Sequence, residues 1–357
     1  MRNVTVPEKL TPRLVVRELE DLRSKGLDVS LGQFLTQKFG AEMTLAHYYN
    51  ELGLEPHTDS ISLILDKDEA YRWIVPEIIR DAIYKGFINQ PIHRDFIARE
   101  ENVSQMTVTM PYFDMTGLDN APKPLGVAES MELGTLKYGE KQARIYKSGI
   151  GIEIADECQR YSSISMLSLF LQDVGVKLGS RLSALAIQCL ISGEQADNSE
   201  SAASIGVTTQ NALAYKDFIR MFVRGSLVNR RWTRTLGNED TVNLMLNLDE
   251  FRRNNKDAVS ELNLNLKTPV PSSLDAYCHS AVPDKKLVMV DPGVAMVQLT
   301  SVPVNVESER IVQRQVNGTY VSLTSGFAII FRDGRVIMDY GTVFNANQWP
   351  TYLAPKF

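Results

Sequence analysis

The apolar positions change their period along the chain. From Pro12 onward, Leu14, Val15, Leu19 and Leu22 recur at steps of three and four, one face of a helix, until Gly26 breaks the pattern. Ser30 stands where it would cap a second short helix through Phe39, with Gly40 behind it. Thr44 to Leu52 predicts a third, ended by Gly53. Ile61 to Leu65 reads as a strand. Trp73, Ile74, Ile78, Ile79, Ile83 and Tyr84 then predict a helix over 68–87 that Pro76 starts or kinks.

The period then becomes two. Val108, Met110 and Tyr112 alternate with polar neighbours. Ala143, Ile145, Ile150, Ile152 and Ile154 do the same beyond a polar stretch punctuated by Pro122, Pro124, Gly126, Gly134 and Gly139. Alternation around a long polar centre predicts an extended β-hairpin over 103–157. It holds few large apolar residues, so it should bury little against its own domain and pack on another subunit.

Residues 163–191 return to helical spacing, with Leu167, Phe170, Leu171, Val174, Leu178, Leu182, Leu185 and Cys189 on one face and Gly193 as the stop. Such a helix is a rod of roughly 40 Å. Residues 194–213, rich in Ser, Ala, Asn and Gly, predict a loop. Lys216–Leu227 reads as a helix, Val242–Leu246 as a strand and Leu248–Asn254 as a short helix. Leu287–Val290 reads as a strand closed by the turn Asp291-Pro292-Gly293. Val302–Val306, Arg310–Val316, Ser325–Phe331 and Val336–Tyr340 read as strands, with Asn317-Gly318 and Asp333-Gly334 as hairpin turns. The fold class is therefore α+β, with antiparallel strands late in the chain.

This order of elements resembles the major capsid proteins of the Hong Kong 97-like fold family, the shell subunits of tailed bacteriophages and of encapsulin compartments. The likeness spans residues 68–345. It is supported by the glycine-spaced strand Lys147-Ser148-Gly149-Ile150-Gly151-Ile152-Glu153-Ile154-Ala155-Asp156-Glu157, by a strand feeding a short helix over Leu244–Phe251, and by the strand and acidic turn over Leu287–Pro292. The resemblance implies a helical N-terminal arm over 1–102 and an extended hairpin loop with the start of a peripheral domain over 103–157. It implies the spine helix of that domain and a loop over 158–213, an axial domain over 214–296, and returning strands with a C-terminal tail over 297–357. In that family the hairpin reaches over a neighbouring subunit.

The function implied is self-assembly, as pentamers and hexamers, into an icosahedral shell around a double-stranded DNA genome. The shell would be made in the host cytoplasm and found in the virion. Portal, scaffolding and cementing proteins are the other partners implied. Residues 1–67 fall outside the pattern, and the N-terminal helices are expected to lie across a neighbour. An encapsulin-like compartment shares the same architecture. A reading from another class, an α+β enzyme without a recognisable motif, finds no convergent His/Cys/Asp set to support it.

Composition narrows these classes. The 357 residues carry a formal net charge of −5, which speaks against gripping nucleic acid by its phosphates and suits a wall around a polyanion. Cys158, Cys189 and Cys278 are odd in number, and no two stand at CxxC spacing. They predict reduced thiols, and with four histidines and no HxxxH pattern no zinc site is expected. No unbroken run of eighteen apolar residues suggests a membrane helix, and Met1–Leu10 lacks the apolar core of a secretion leader. No cofactor and no catalytic residues are expected.

Several local clusters have a sharp and a bland interpretation. Cys278, His279 and Asp275 could form a nucleophile pair, but neighbours on a strand point to opposite faces. Glu153, Asp156 and Glu157 could do acid–base work, although a salt-bridged strand end is the commoner use. Ser148-Gly149-Ile150-Gly151 lacks the third glycine and the following helix of a nucleotide site. Gln33–Leu52 has the length of a helix-turn-helix reader, yet Glu42, Glu51 and Glu55 offset Lys38. The residues that remain are candidates for contacts between subunits: Tyr112, then Lys137, Lys141, Arg144 and Lys147 as a basic side of the hairpin, and Glu153 and Glu157 as partners for a neighbour's arginine. The resemblance adds that Lys137 or Lys141 could join Asn345 or Asn347 of a neighbour through an isopeptide bond.

Overall fold

A computed structural model of the chain describes residues 11–25, 29–61, 64, 71, 74–89, 92–114, 135–193, 201–248, 274–311, 313–314 and 316–354. It opens with helices α1 (Pro12–Ser24), α2 (Leu31–Phe39) and α3 (Leu45–Glu51). Ser30 Oγ accepts from the Gln33 N–H while the Gln33 side chain accepts from the Ser30 N–H, and Gly40 leaves α2 at a φ of 100°. Thr44 caps α3. The strand expected over 61–65 is not found. Ile61 and Ile64 are helical and buried, and the Ile64 N–H donates to the Ser60 carbonyl; positions 62, 63 and 65 lie outside the described residues. A short apolar run fits a buried helical turn as well as a strand.

Helix α4 (Ile74–Asn89) carries Pro76 in its first turn, where a missing N–H leaves no bond unmade. After it come β1 (Ile97–Asn102), β2 (Thr107–Asp114), β3 (Thr135–Arg144), β4 (Tyr146–Ala155), the short α5 (Asp156–Tyr161) and the 29-residue α6 (Ile164–Ser192). The later chain supplies β5 (Ser204–Val207), α7 (Tyr215–Leu227), β6 (Arg234–Gly237), α8 (Glu239–Leu246), β7 (Asp275–Cys278), β8 (Lys286–Val290), β9 (Met296–Ile311), β10 (Val316–Ile329) and β11 (Arg335–Val343).

Three expectations are corrected here. Residues 242–246 are helical, because Asn238 caps the Thr241 N–H at 2.9 Å and Glu239 and Asp240 occupy the first turn. The stretch 194–213 contains strand β5. Asn317-Gly318 lies inside β10, and the turn after β9 falls at Gln313 and Arg314, where a strand was expected. The Leu248–Asn254 helix falls outside the described residues beyond Leu248.

The chain divides into two compact units, each made from three separate stretches. The first comprises 1–91, 147–182 and 302–325, the second 92–146, 183–301 and 326–357. In the first, α4 packs on α1 and α2, and Arg23 on α1 donates to both carboxylate oxygens of Glu77 on α4 at 2.7 and 2.8 Å. Val15, Leu19, Leu31, Phe34, Leu35, Tyr48 and Leu54 are all buried within the single chain. Much of their apolar surface is thus covered by the chain itself, while Leu14 on α1 is exposed.

Helix α6 crosses α4 backbone to backbone. A Cβ at Gly86 would stand 1.9 Å from the Gln172 carbonyl oxygen, and one at Gly175 would stand 2.0 Å from that of Ile83. By length and composition α6 is apolar enough to cross a membrane, but half of its most apolar stretch is buried in the protein. Asp173, Lys177 and Arg181 are exposed along it.

The second unit is built on a mixed sheet of order β5-β11-β8-β6-β7. Ile205, Val207, Leu287, Met289, Val336 and Met338 of this sheet form one core with Phe218 and Met221 of α7 and Met245 of α8. Trp232 is buried in the same core and donates to the Asp333 carbonyl at 3.1 Å. Asp333-Gly334 belongs to the short 3-10 turn that joins β10 to β11, where a turn was expected.

Candidate assembly surfaces

The hairpin is present as a two-stranded antiparallel ribbon. β2 pairs with β3 from Thr107 opposite Arg144 to Asp114 opposite Thr135, with a register shift near Pro111. Tyr112 is the register partner of Lys137. Lys141 lies on β3 nearer the base; the tip, 115–134, is outside the described residues. The base is bound into a core. Ala143 and Ile145 are buried with Val297, Leu299 and Ala328, and Val108 and Met110 pack against them. Arg144 is exposed, as alternation beside a buried Ala143 requires.

Lys147, Glu153 and Glu157 belong to the other unit. Lys147 is exposed on β4. Glu153 is exposed and accepts from Arg314 of the same chain at 3.1 and 3.3 Å, so a partner exists without a neighbour. Glu157 is exposed on α5. The glycines between them serve packing: a Cβ at Gly149 would stand 2.8 Å from the Val321 carbonyl, and one at Gly151 would stand 3.1 Å from the Tyr320 ring. Asn345 accepts from the Asn347 N–H at 3.0 Å and caps a 3-10 turn.

The Cys278 cluster is not arranged for nucleophilic chemistry. Burial, followed by the charge of Glu239, pushes the Cys278 thiol up, which lowers its thiolate fraction. His279 Nδ1 accepts from the Ala281 N–H at 3.0 Å, and Asp275 is ion-paired with Arg234. The three cysteines are free thiols.

The charged groups that are deeply placed serve the frame. Arg335 is 1% exposed, and its Nη1 donates to the carbonyls of Cys189 and Leu190 at 2.7 and 2.5 Å, in the last turn of α6. A cation there meets the negative end of the helix, where the Cys189 carbonyl also accepts from the Gly193 N–H that closes the helix. Burial lowers the Arg335 pKa below its ordinary value.

His93 is equally buried, hydrogen-bonded to Ser183 at 3.1 Å and edge-on to Phe327. Burial, and next the charge of Arg94, brings its pKa down to about 4. A histidine released by unfolding takes its proton near pH ~6.5. The stability His93 confers is therefore full above that pH and is lost as pH falls from there toward about 4, by up to about 3 kcal/mol. Urea midpoints of the unassembled chain should fall steeply through this window, and His93→Gln should flatten that part of the profile. An unchanged slope in the variant would exclude His93 as its source.

Sequence periodicity missed one surface. Tyr161 at the end of α5 and Met166, Leu169 and Phe170 at the start of α6 are exposed, although the spacing puts Phe170 on one face with Leu167 and Leu171, which are buried. Leu185, placed on the same face, is also exposed, while Ala186, Ile187 and Leu190, off that set, are buried. Helical spacing shows that apolar residues share a face; it does not show which of two apolar faces the chain itself covers.

No protein-family model matches the chain, and no curated protein sequence matches it significantly. Among solved structures the chain is similar to one from Microbacterium phage Oxtober96, with a TM-score of 0.49 at 10% identity, covering 70% of this chain and 90% of that one. It is similar to the capsid of an empty GTA particle, with a TM-score of 0.47 at 10% identity over 71% of this chain and 91% of that one. It is also similar to the holo-SrpI encapsulin complex from Synechococcus elongatus PCC 7942, with a TM-score of 0.48 at 11% identity over 70% and 88%.

Proposed function

We propose that this chain is the major capsid protein of a tailed bacteriophage. Copies of it would assemble as pentamers and hexamers into the closed shell that surrounds the double-stranded DNA genome. The observation that carries this reading is the β2–β3 ribbon. Its strands pair only with each other among the described residues. An isolated two-stranded ribbon is marginal in water, so such an arm is completed by another surface. The rigid crossing of α4 and α6 and the order of elements fit the same reading, and the net charge of −5 lets the wall enclose a polyanion without binding it. Portal, scaffolding and cementing proteins would be its partners in the virion. The chain's work is association, and catalysis has no part in it.

Replacing residues 115–134 by Asn-Gly closes the Asp114–Thr135 pair with a tight turn. The variant is expected to keep its circular dichroism and urea midpoint and to form no closed shells by negative-stain electron microscopy. Wild-type particles from this variant would overturn the arm's role. Particles from the native source that hold protein cargo instead of DNA would move the reading to an encapsulin-like compartment.

A further inference from the structure

We infer that the exposed apolar face at the start of α6 is a contact between identical copies of this chain, patch against patch. The partner's identity rests on the shell reading above; the surface itself does not. Tyr161 is 85% exposed, Met166 54%, Leu169 65% and Phe170 65%. Met166, Leu169 and Phe170 stand at helical steps of three and four, so they share one face.

The platform beneath them is fixed. The N–H groups of Ile164 and Ser165 donate to the carbonyls of Asp59 and Pro56 at 3.1 and 2.9 Å, and Ser163 Oγ accepts from the Met166 N–H. A face held this firmly is preorganised, and ordering it on contact costs little.

The composition is that of an interface centre, where aromatic residues and methionine are enriched. Since an aromatic side chain offers about 150–250 Å² each, the four residues present on the order of 500 Å² of apolar surface. That is in the upper part of the ~300–600 Å² range of the largest apolar patch on a single chain, a patch that is often functional, and is a large part of the ~800 Å² each partner brings to a stable interface.

The rim indicates which occupant fits. Glu157 and Arg160 border the patch on α5, one turn apart, opposite in sign and both exposed. No ion pair joins either to a described residue. A surface that carries both signs beside an apolar centre is complementary to a rotated copy of itself. Glu157 of each copy then meets the arginine of the other. A partner of a single charge would leave one of the two unmatched.

The test uses the full chain, with particle formation followed by mass photometry and electron microscopy. Leu169→Ser with Phe170→Ser should raise the concentration at which particles form by about tenfold or more. Its urea midpoint should stay unchanged, because these side chains are mostly in water already. Glu157→Arg and Arg160→Glu should each weaken assembly, and the double reversal should restore it. A double reversal no better than either single one, or unimpaired assembly by all variants, overturns the inference and leaves the shell reading standing. Should the wild type form no shells, sedimentation still decides. A dimer lost in Leu169→Ser/Phe170→Ser supports the contact without the shell; a wild-type monomer at high concentration sinks both.

Discussion

Gly175→Ala is expected to destabilise the unassembled chain by about 3 kcal/mol, while Gly179→Ala, four residues further along the same helix, should be neutral or gain about 0.5 kcal/mol. The difference lies in what each added methyl meets. At Gly175 it would sit 2.0 Å from the Ile83 carbonyl oxygen and 2.8 Å from the Phe87 nitrogen, both backbone, so α4 and α6 must separate. At Gly179 the nearest atoms are the Phe87 carbonyl at 3.4 Å and its ring at 3.7 Å, close to ordinary contact, and alanine brings its better helix propensity. Gly86 mirrors Gly175 against Gln172, so Gly86→Ala should repeat the loss. Urea unfolding of the three variants measures this directly. Equal midpoints for Gly175→Ala and Gly179→Ala would show that the helices do not meet through their backbones.

The second large effect is expected at Arg335. Arg335→Met keeps much of the buried volume but takes the guanidinium from the Cys189 and Leu190 carbonyls; the Cys189 carbonyl keeps the Gly193 N–H at 2.9 Å, and the Leu190 carbonyl loses its donor. A buried acceptor without a partner costs about 1–3 kcal/mol, so a loss of about 1–3 kcal/mol is expected. Arg335→Lys should recover part of it, since an ammonium restores the charge but not the planar fork. A midpoint for Arg335→Met within error of the wild type would mean that the Leu190 carbonyl is satisfied by other means.

How far the sequence reveals these features depends on how local their causes are. α2 is legible because Ser30, Gln33 and Gly40 set its ends within eleven residues of chain. α6 is legible in extent because its apolar spacing is long and Gly193, at a φ of 76°, ends it. The error at 242–246 has a local cause as well: Asn238, Glu239 and Asp240 announce a helix start that the short apolar run masked. Asn317-Gly318 misleads for the opposite reason. It is a good turn signal, but the β9–β10 hairpin turns earlier, at Gln313 and Arg314, and leaves Gly318 buried in a strand. The backbone approach of Gly86 and Gly175 has no signature in a single chain, since each glycine is explained only by a residue some ninety positions away. Likewise, burial of Arg335 follows from where α6 ends, far earlier in the chain. Of the two candidate surfaces, the ribbon could be read from its alternation, whereas the exposure of the patch around Phe170 could not.

The front helices α1 to α3 bury Leu19, Leu31, Leu35 and Tyr48 inside their own molecule. Packing of those faces needs no second molecule, so dilution should not alter it. Under the proposed function, wall building would be the opposite, a process of high order in concentration, and a cell could stockpile building blocks below the threshold and release them into construction by accumulation alone.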